Sequence, residues 1–175
     1  ADTYHQLTLP YTFFGWLNVI PRAGGRFTYY SAASGPGAET ETQNRGVFNT
    51  GAEITFKASR LWAGATNRWL EVDGLRHIVE PSLNYVFVPA PNNRPPDLPQ
   101  FDYEQPTTQL LPFEFPNYNS IDSIDSQNVV RLGVRNKLQT KREGEVVDLV
   151  NWNLFLDWRL HPAANQETFN DLYSG

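Results

Sequence analysis

Cysteine and methionine are both missing from the 175 residues. The first absence excludes a disulfide framework and any thiolate metal site. With no methionine, and no charged-then-apolar leader after Ala1, the chain is expected to be a mature piece or an internal fragment, and its length fits one domain or part of one. No apolar run approaches the ~18–20 residues that a spanning helix needs, and mean hydropathy is -0.48, so a bundle of membrane helices is excluded. Basic residues are outnumbered, with Lys+Arg 14 against Asp+Glu 19 and a net charge of -5, which argues against a nucleic-acid partner. Disorder is excluded from the other side, because 5 Trp, 8 Tyr and 11 Phe are too many for an unfolded chain. The 13 Pro and 12 Gly are scattered, and no segment sustains apolar spacing of three and four.

What recurs is alternation, the period-two signal of strands with two unlike faces. From Val47 to Ala58, the residues Phe48, Thr50, Ala52, Ile54, Phe56 and Ala58 oppose Val47, Asn49, Gly51, Glu53, Thr55 and Lys57. In 75–89, Leu75, Val79, Leu83, Tyr85 and Phe87 oppose Arg76, Glu80, Ser82 and Asn84, with His77 and Ile78 out of step. In 128–139, Val130, Leu132, Val134 and Leu138 oppose Arg131, Gly133, Arg135 and Lys137. In 150–160, Trp152, Leu154, Leu156, Trp158 and Leu160 oppose Asn151, Asn153, Asp157 and Arg159, Phe155 being the exception. A strand over 17–31 sets Asn18, Arg22, Arg26 and Thr28 against Val19, Phe27 and Tyr29, and an earlier strand is expected from Tyr4 to about Phe13. The fold class is therefore all-β, an antiparallel up-and-down sheet of about six long strands, with residues 169–175 opening another.

Strands of about ten residues exceed the usual ~5–6 of soluble proteins and match the ~9–11 of tilted membrane strands. Aromatics gather near strand ends, as an interfacial girdle does. A soluble β-sandwich with an apolar core accounts for the alternation equally well. The connections separate the two readings. Phe14–Trp16 and Thr140–Glu145 are short, Arg60–Gly74 is of middling length, and Ala32–Gly46 falls on the same side as the very long, Pro-rich 90–127. Long loops on one side and shorter turns on the other are the habit of outer-membrane barrels.

No catalytic signature is present. His5, His77 and His161 lack ligand spacing, so no metal site is expected. Gly24-Gly25 lies inside a strand and marks a bulge or close packing. Asp122 and Asp125 in Ile121-Asp-Ser-Ile-Asp-Ser126 suit either a cation or sugar site or, more simply, turn hydrogen bonds. The polar faces, however, carry Arg22, Arg26, Lys57, Arg76, Arg131, Arg135, Lys137 and Arg159 against Glu53, Glu80 and Asp157. These eight basic residues are candidates for a lumen that guides phosphate groups, or for a generically charged interior whose counter-charges sit on neighbouring strands. Either way, a wet lumen leaves charge changes at Arg131 nearly harmless to folding.

The segment Leu75-Arg-His-Ile-Val-Glu-Pro81, with the run to Pro89, resembles the Arg-His-x-x-x-Pro strand of the LptD family, the outer-membrane lipopolysaccharide-assembly proteins. The resemblance continues through Leu98-Pro-Gln-Phe-Asp102 and resumes at 119–138, where Asp122-Ser-Ile124, Asn128 and Gly133 match a family motif in which Ser123 replaces the usual Arg. The matched residues are thus Arg76, His77, Pro81, Asp122, Ile124, Asn128 and Gly133. The resemblance implies that residues 1–175 are part of a large transmembrane β-barrel in the cell outer membrane. It implies a transporter and not an enzyme, with no cofactor. Its expected partners are lipopolysaccharide, outer-membrane lipids, an LptE-like plug lipoprotein and a periplasmic LptA-like bridge. Another outer-membrane barrel, porin or receptor, and a soluble carbohydrate-binding sandwich are the alternatives.

Overall fold

The computed structural model describes residues 1–35, 38–93, 98, 121–122, 124 and 126–160. The strand expected to open at 169–175 and most of the loop expected over 90–127, with Asp102, Ser123, Asp125 and His161, lie outside them. Among the described residues there are ten strands and no helix. They are β1 (Asp2–Thr8), β2 (Tyr11–Phe13), β3 (Leu17–Tyr30), β4 (Ala33–Gly35), β5 (Ala38–Thr40), β6 (Gln43–Phe56), β7 (Ala58–Asn67), β8 (Val72–Val88), β9 (Gln127–Arg142) and β10 (Glu145–Arg159). One sheet runs β1-β3-β6-β8-β9-β10, every pair antiparallel, with β2 also on β3 and β7 also on β8; β4 and β5 form a separate hairpin. Among the described residues the sheet is open, since β1 and β10 each have one neighbour there.

Interruptions of the ladder divide two of the six expected strands. Pro10 has no amide hydrogen to give, and β1 stops before it while β2 resumes after it on the same partner. Likewise β6 and β7 are one run interrupted at Lys57, both pairing with β8. The middling link expected over 60–74 is therefore not a loop. Strand β7 continues to Asn67, and the reversal is the turn 68–71, where Asn67 Oδ1 accepts from the amides of Trp69 and Leu70 at 2.9 and 3.2 Å. The link at 140–145 also shrinks, to Glu143-Gly144, both with positive φ (49° and 89°), as the tightest hairpin turns require. All three turns at this end of the sheet are thus short.

Register fixes the faces. One row across all six strands reads Tyr11, Val19, Ile54, Leu83, Leu132, Leu156. The next residue along each strand gives Thr12, Asn18, Thr55, Ser82, Gly133, Phe155 on the opposite side. The exposures run opposite to those of a soluble core. The apolar face is bare, with Tyr11 61%, Leu154 61%, Leu156 62% and Trp158 63% exposed, while Arg45, Asn49 and Val88 on the polar face are 2% exposed or less. No second sheet covers the apolar side among the described residues, which argues against the sandwich and for a barrel fragment. On β9, Asn128 and Asn136 bracket Val130, Leu132 and Val134, about 27 Å of strand at ~3.4 Å per residue, which at a tilt of ~35–45° spans about 19–22 Å of height, somewhat less than the ~25 Å apolar band of a membrane barrel.

Candidate functional site

The polar face is the candidate site, and it is built from cross-strand rows. Arg131 stands between Asn84 and Asp157, Arg135 between Glu80 and Asn153, and Lys137 between Ile78 and Asn151. Arg76 lies opposite Leu61 and Gln139, Arg159 opposite Val129, and Arg22 and Arg26 opposite Gly51 and Val47. Lys57 joins the same side through Glu80. All eight basic residues singled out from the sequence therefore share one face.

Five of these eight basic residues meet a carboxylate within the chain, two of them sharing Glu80. Arg131 grips Asp157 with two parallel bonds, Nε to Oδ1 at 2.6 Å and a terminal nitrogen to Oδ2 at 2.8 Å. Both side chains are well covered, at 13% and 15% exposure. Glu80 takes Lys57 at 3.2 Å and Arg135 at 3.3 Å. Arg26 meets Asp2 at 3.2 Å and lies over the Tyr4 ring, and Lys137 is 3.7 Å from Asp148. Arg76 has no ion-pair partner among the described residues and is exposed. Counter-charges on absent strands are not needed for the paired residues, and Arg131 is not the freely solvated side chain that the sequence suggested.

Small residues make these reaches possible. Arg22 on β3 crosses β6 to donate to Asn84 on β8 at 2.5 Å, passing over Gly51. A Cβ at Gly51 would strike the Tyr85 carbonyl and lie 3.3 Å from Arg22 Nε. Gly133 has the same function for Phe155, the residue out of step on β10, because the ring occupies the place of a side chain at 133, 2.9 Å from where its Cβ would be. Gly24 marks close packing, as one of the two readings held, with the His5 carbonyl 2.9 Å from a Cβ there.

A second cluster sits at the long-loop end of this face, and the sequence reading missed it. Arg45, 1% exposed, donates to the carbonyls of Ile121 and Asp122 at 3.1 and 3.0 Å. Tyr30 donates its hydroxyl to Asp122 Oδ1 at 2.5 Å. Below them Val47, Val86, Val88 and Ile124 form a small apolar core. Extending the alternation back two residues from Val47 would have reached Arg45. Asp122 is 3% exposed and hydrogen-bonded to the sheet, so its chemistry is internal anchoring, over a distance that local turn bonds do not span.

The remaining motif residues divide between the faces. His77, Pro81 and Asn128 lie on the apolar side, and His77 Nε2 is 3.2 Å from Asn136 Oδ1. His5 touches Thr3 Oγ1 at 3.0 Å. No group of three potential metal ligands occurs among the described residues.

No curated protein matches the chain. The family model described as LptD: LPS transport system D matches residues 1–151. That span holds every strand of the sheet except the last part of β10. With its open all-β sheet, its bare apolar face and its paired polar face, the chain belongs to the LptD family, outer-membrane proteins whose work is the transport and assembly of lipopolysaccharide together with other Lpt components, and not catalysis.

Proposed function

We propose that the chain, over residues 1–175, is a stretch of the wall of an LptD-like translocon barrel. In this reading the bare apolar face meets lipid and the polar face lines the lumen, where the sugars and phosphates of lipopolysaccharide pass while its acyl chains enter the outer leaflet. An LptE-like plug would lie against the polar face, and a periplasmic LptA-like bridge would deliver from the short-turn side. The observation that carries the reading is the two-sidedness of the six-strand rows, joined to the family match.

Because Arg131, Arg135, Lys57 and Arg26 are held in ion pairs, they serve the wall first. Arg76, near the short-turn end and without a carboxylate partner among the described residues, is the basic residue best placed to meet an incoming phosphate. The test is Arg76→Glu in the full-length parent protein, reading barrel assembly by heat-modifiable mobility and delivery by surface lipopolysaccharide. Normal assembly with reduced surface lipopolysaccharide is expected. Normal assembly with normal delivery would overturn a working role for Arg76.

A further inference from the structure

Strand β7 lies in the middle of the meander and yet is an edge. The run made by β6 and β7 is paired with β3 only as far as Phe56, which stands opposite Leu17. There the chain on the β3 side reverses, through 14–16, into β2. The run continues past that turn as β7, with β8 on one flank and no strand on the other among the described residues. Closing a barrel by adding strands beyond β1 and β10 leaves this flank as it is, because the place beside β7 belongs to β3, which has already turned back. Exposure agrees. Every β7 residue but Ala65 is exposed, as along the end strands β1 and β10, whereas the neighbouring part of β8 is mostly half-buried.

An edge strand turns every second amide and carbonyl toward whatever lies alongside, and natural sheets blunt such edges with proline or a bulge. β7 contains no proline. Its register with β8 is unbroken from Ala58 to Trp62 and shifts only between Trp62 and Thr66. Ala58–Trp62 is thus a straight edge, about 17 Å long at ~3.4 Å per residue. Its charge is one-sided. From Lys57 to Leu70 the chain carries Lys57, Arg60 and Arg68 and no Asp or Glu. Glu80 takes Lys57, but Arg60 and Arg68 have no carboxylate partner among the described residues. Arg60 is exposed, its guanidinium over the Trp62 ring at 5.2 Å from the centroid.

The edge begins where the apolar belt ends. Ala58 shares a row with Val79 and Asn136, the residue that closes the apolar stretch of β9. Phe13, Phe14 and Trp16 gather at the neighbouring turn, Trp16 edge-on to Phe56, as aromatics do at a membrane boundary. Beyond that boundary β7 stands in water, where bare main chain is tolerated. Only this placement rests on the reading that the apolar face meets lipid; the free edge follows from topology alone. Asn93, Ile121 and Leu160, which border the longest undescribed stretches, are held at the opposite end of the sheet, so the occupant is sought outside the chain.

We infer that Ala58–Trp62 is a strand-addition site for an extended, acidic polypeptide segment of a partner protein on the short-turn side. Its main chain completes the ladder of β7, and a carboxylate on it lies beside Arg60. The test uses the full-length parent protein in nanodiscs and follows hydrogen–deuterium exchange over 58–62. The probe is the peptide acetyl-Thr-Val-Thr-Val-Glu-Val-Thr-Val-Thr-amide, compared with the same peptide carrying Lys for Glu and with one N-methylated at alternate residues. Without peptide, 58–62 is expected to exchange faster than 75–79 on doubly paired β8. The Glu peptide slows that exchange, the Lys peptide binds about fivefold more weakly, and the N-methylated peptide has no effect. Arg60→Glu reverses the preference between the first two; should that variant fail to assemble, the three peptides on the wild-type protein decide. No protection by the Glu peptide, equal protection by the N-methylated one, or equal binding of the Glu and Lys peptides would overturn the site. Slow exchange without peptide would overturn it too, showing the edge covered by the parent's own chain, or by a second copy if the slowing grows with protein concentration. None of these outcomes bears on the lumen reading, which the Arg76→Glu test decides separately.

Discussion

Replacing Asp157 by Asn removes the charge partner of Arg131 while keeping the shape. The two bonds are short and parallel, and the side chains are 13% and 15% exposed. Exposed pairs contribute ~0.2–1 kcal/mol, and breaking a fully buried pair costs ~3–5 kcal/mol. A pair covered to this extent lies between, so Asp157→Asn is expected to cost ~2–3 kcal/mol. Arg131→Met should cost about the same, and the double variant little more than either single, giving a coupling of ~1.5–2.5 kcal/mol. The assay is urea unfolding of the full-length parent in lipid or detergent, read as a double-mutant cycle. Arg131→Glu, which brings a carboxylate to Asp157, should be worse than Arg131→Met. Coupling below ~0.5 kcal/mol would show that lumen water solvates both groups and that the geometry carries no stability.

Gly133→Ala puts a methyl against Ser82 Oγ and the Phe155 ring and should cost ~1–3 kcal/mol, partly recovered by Phe155→Leu, in the same unfolding assay. Asp122→Asn removes the charge but keeps an acceptor for Tyr30, whereas Asp122→Ala removes both, so the Ala variant should be less stable than the Asn variant by ~1–2 kcal/mol; equal losses would remove the hydrogen-bond argument. Leu132→Arg, in the central apolar row, should cost ~2–4 kcal/mol and lower the folded barrel fraction, against a small effect if that face were wet. On intact cells, a thiol at Asn93 should label and one at Gly144 should not; the reverse would invert the sidedness.

Much of this was legible in the sequence because a strand's faces are a local property. Alternate side chains point to opposite sides whatever the partner, so Arg22, Arg131 and Arg159 could be assigned to one face before any pairing was known. Short turns were legible for the same reason, since Gly144 and Gly15 supply the positive φ of their own hairpins. Where each strand ends was less so. Residues 58–67 alternate poorly and contain Gly64, and they became β7 only because β8 offers them a ladder. Arg45 sits in Gln-Asn-Arg-Gly, which reads as loop, and it is buried because carbonyls 76 and 77 residues away close over it. Partnership was likewise invisible: the sequence contains a basic face, and only the register of β8, β9 and β10 sets Glu80 and Asp157 beside its arginines and lysine. Periodicity is written within one strand, whereas neutralising a charge or covering a side chain depends on which distant strand lies alongside and in which register.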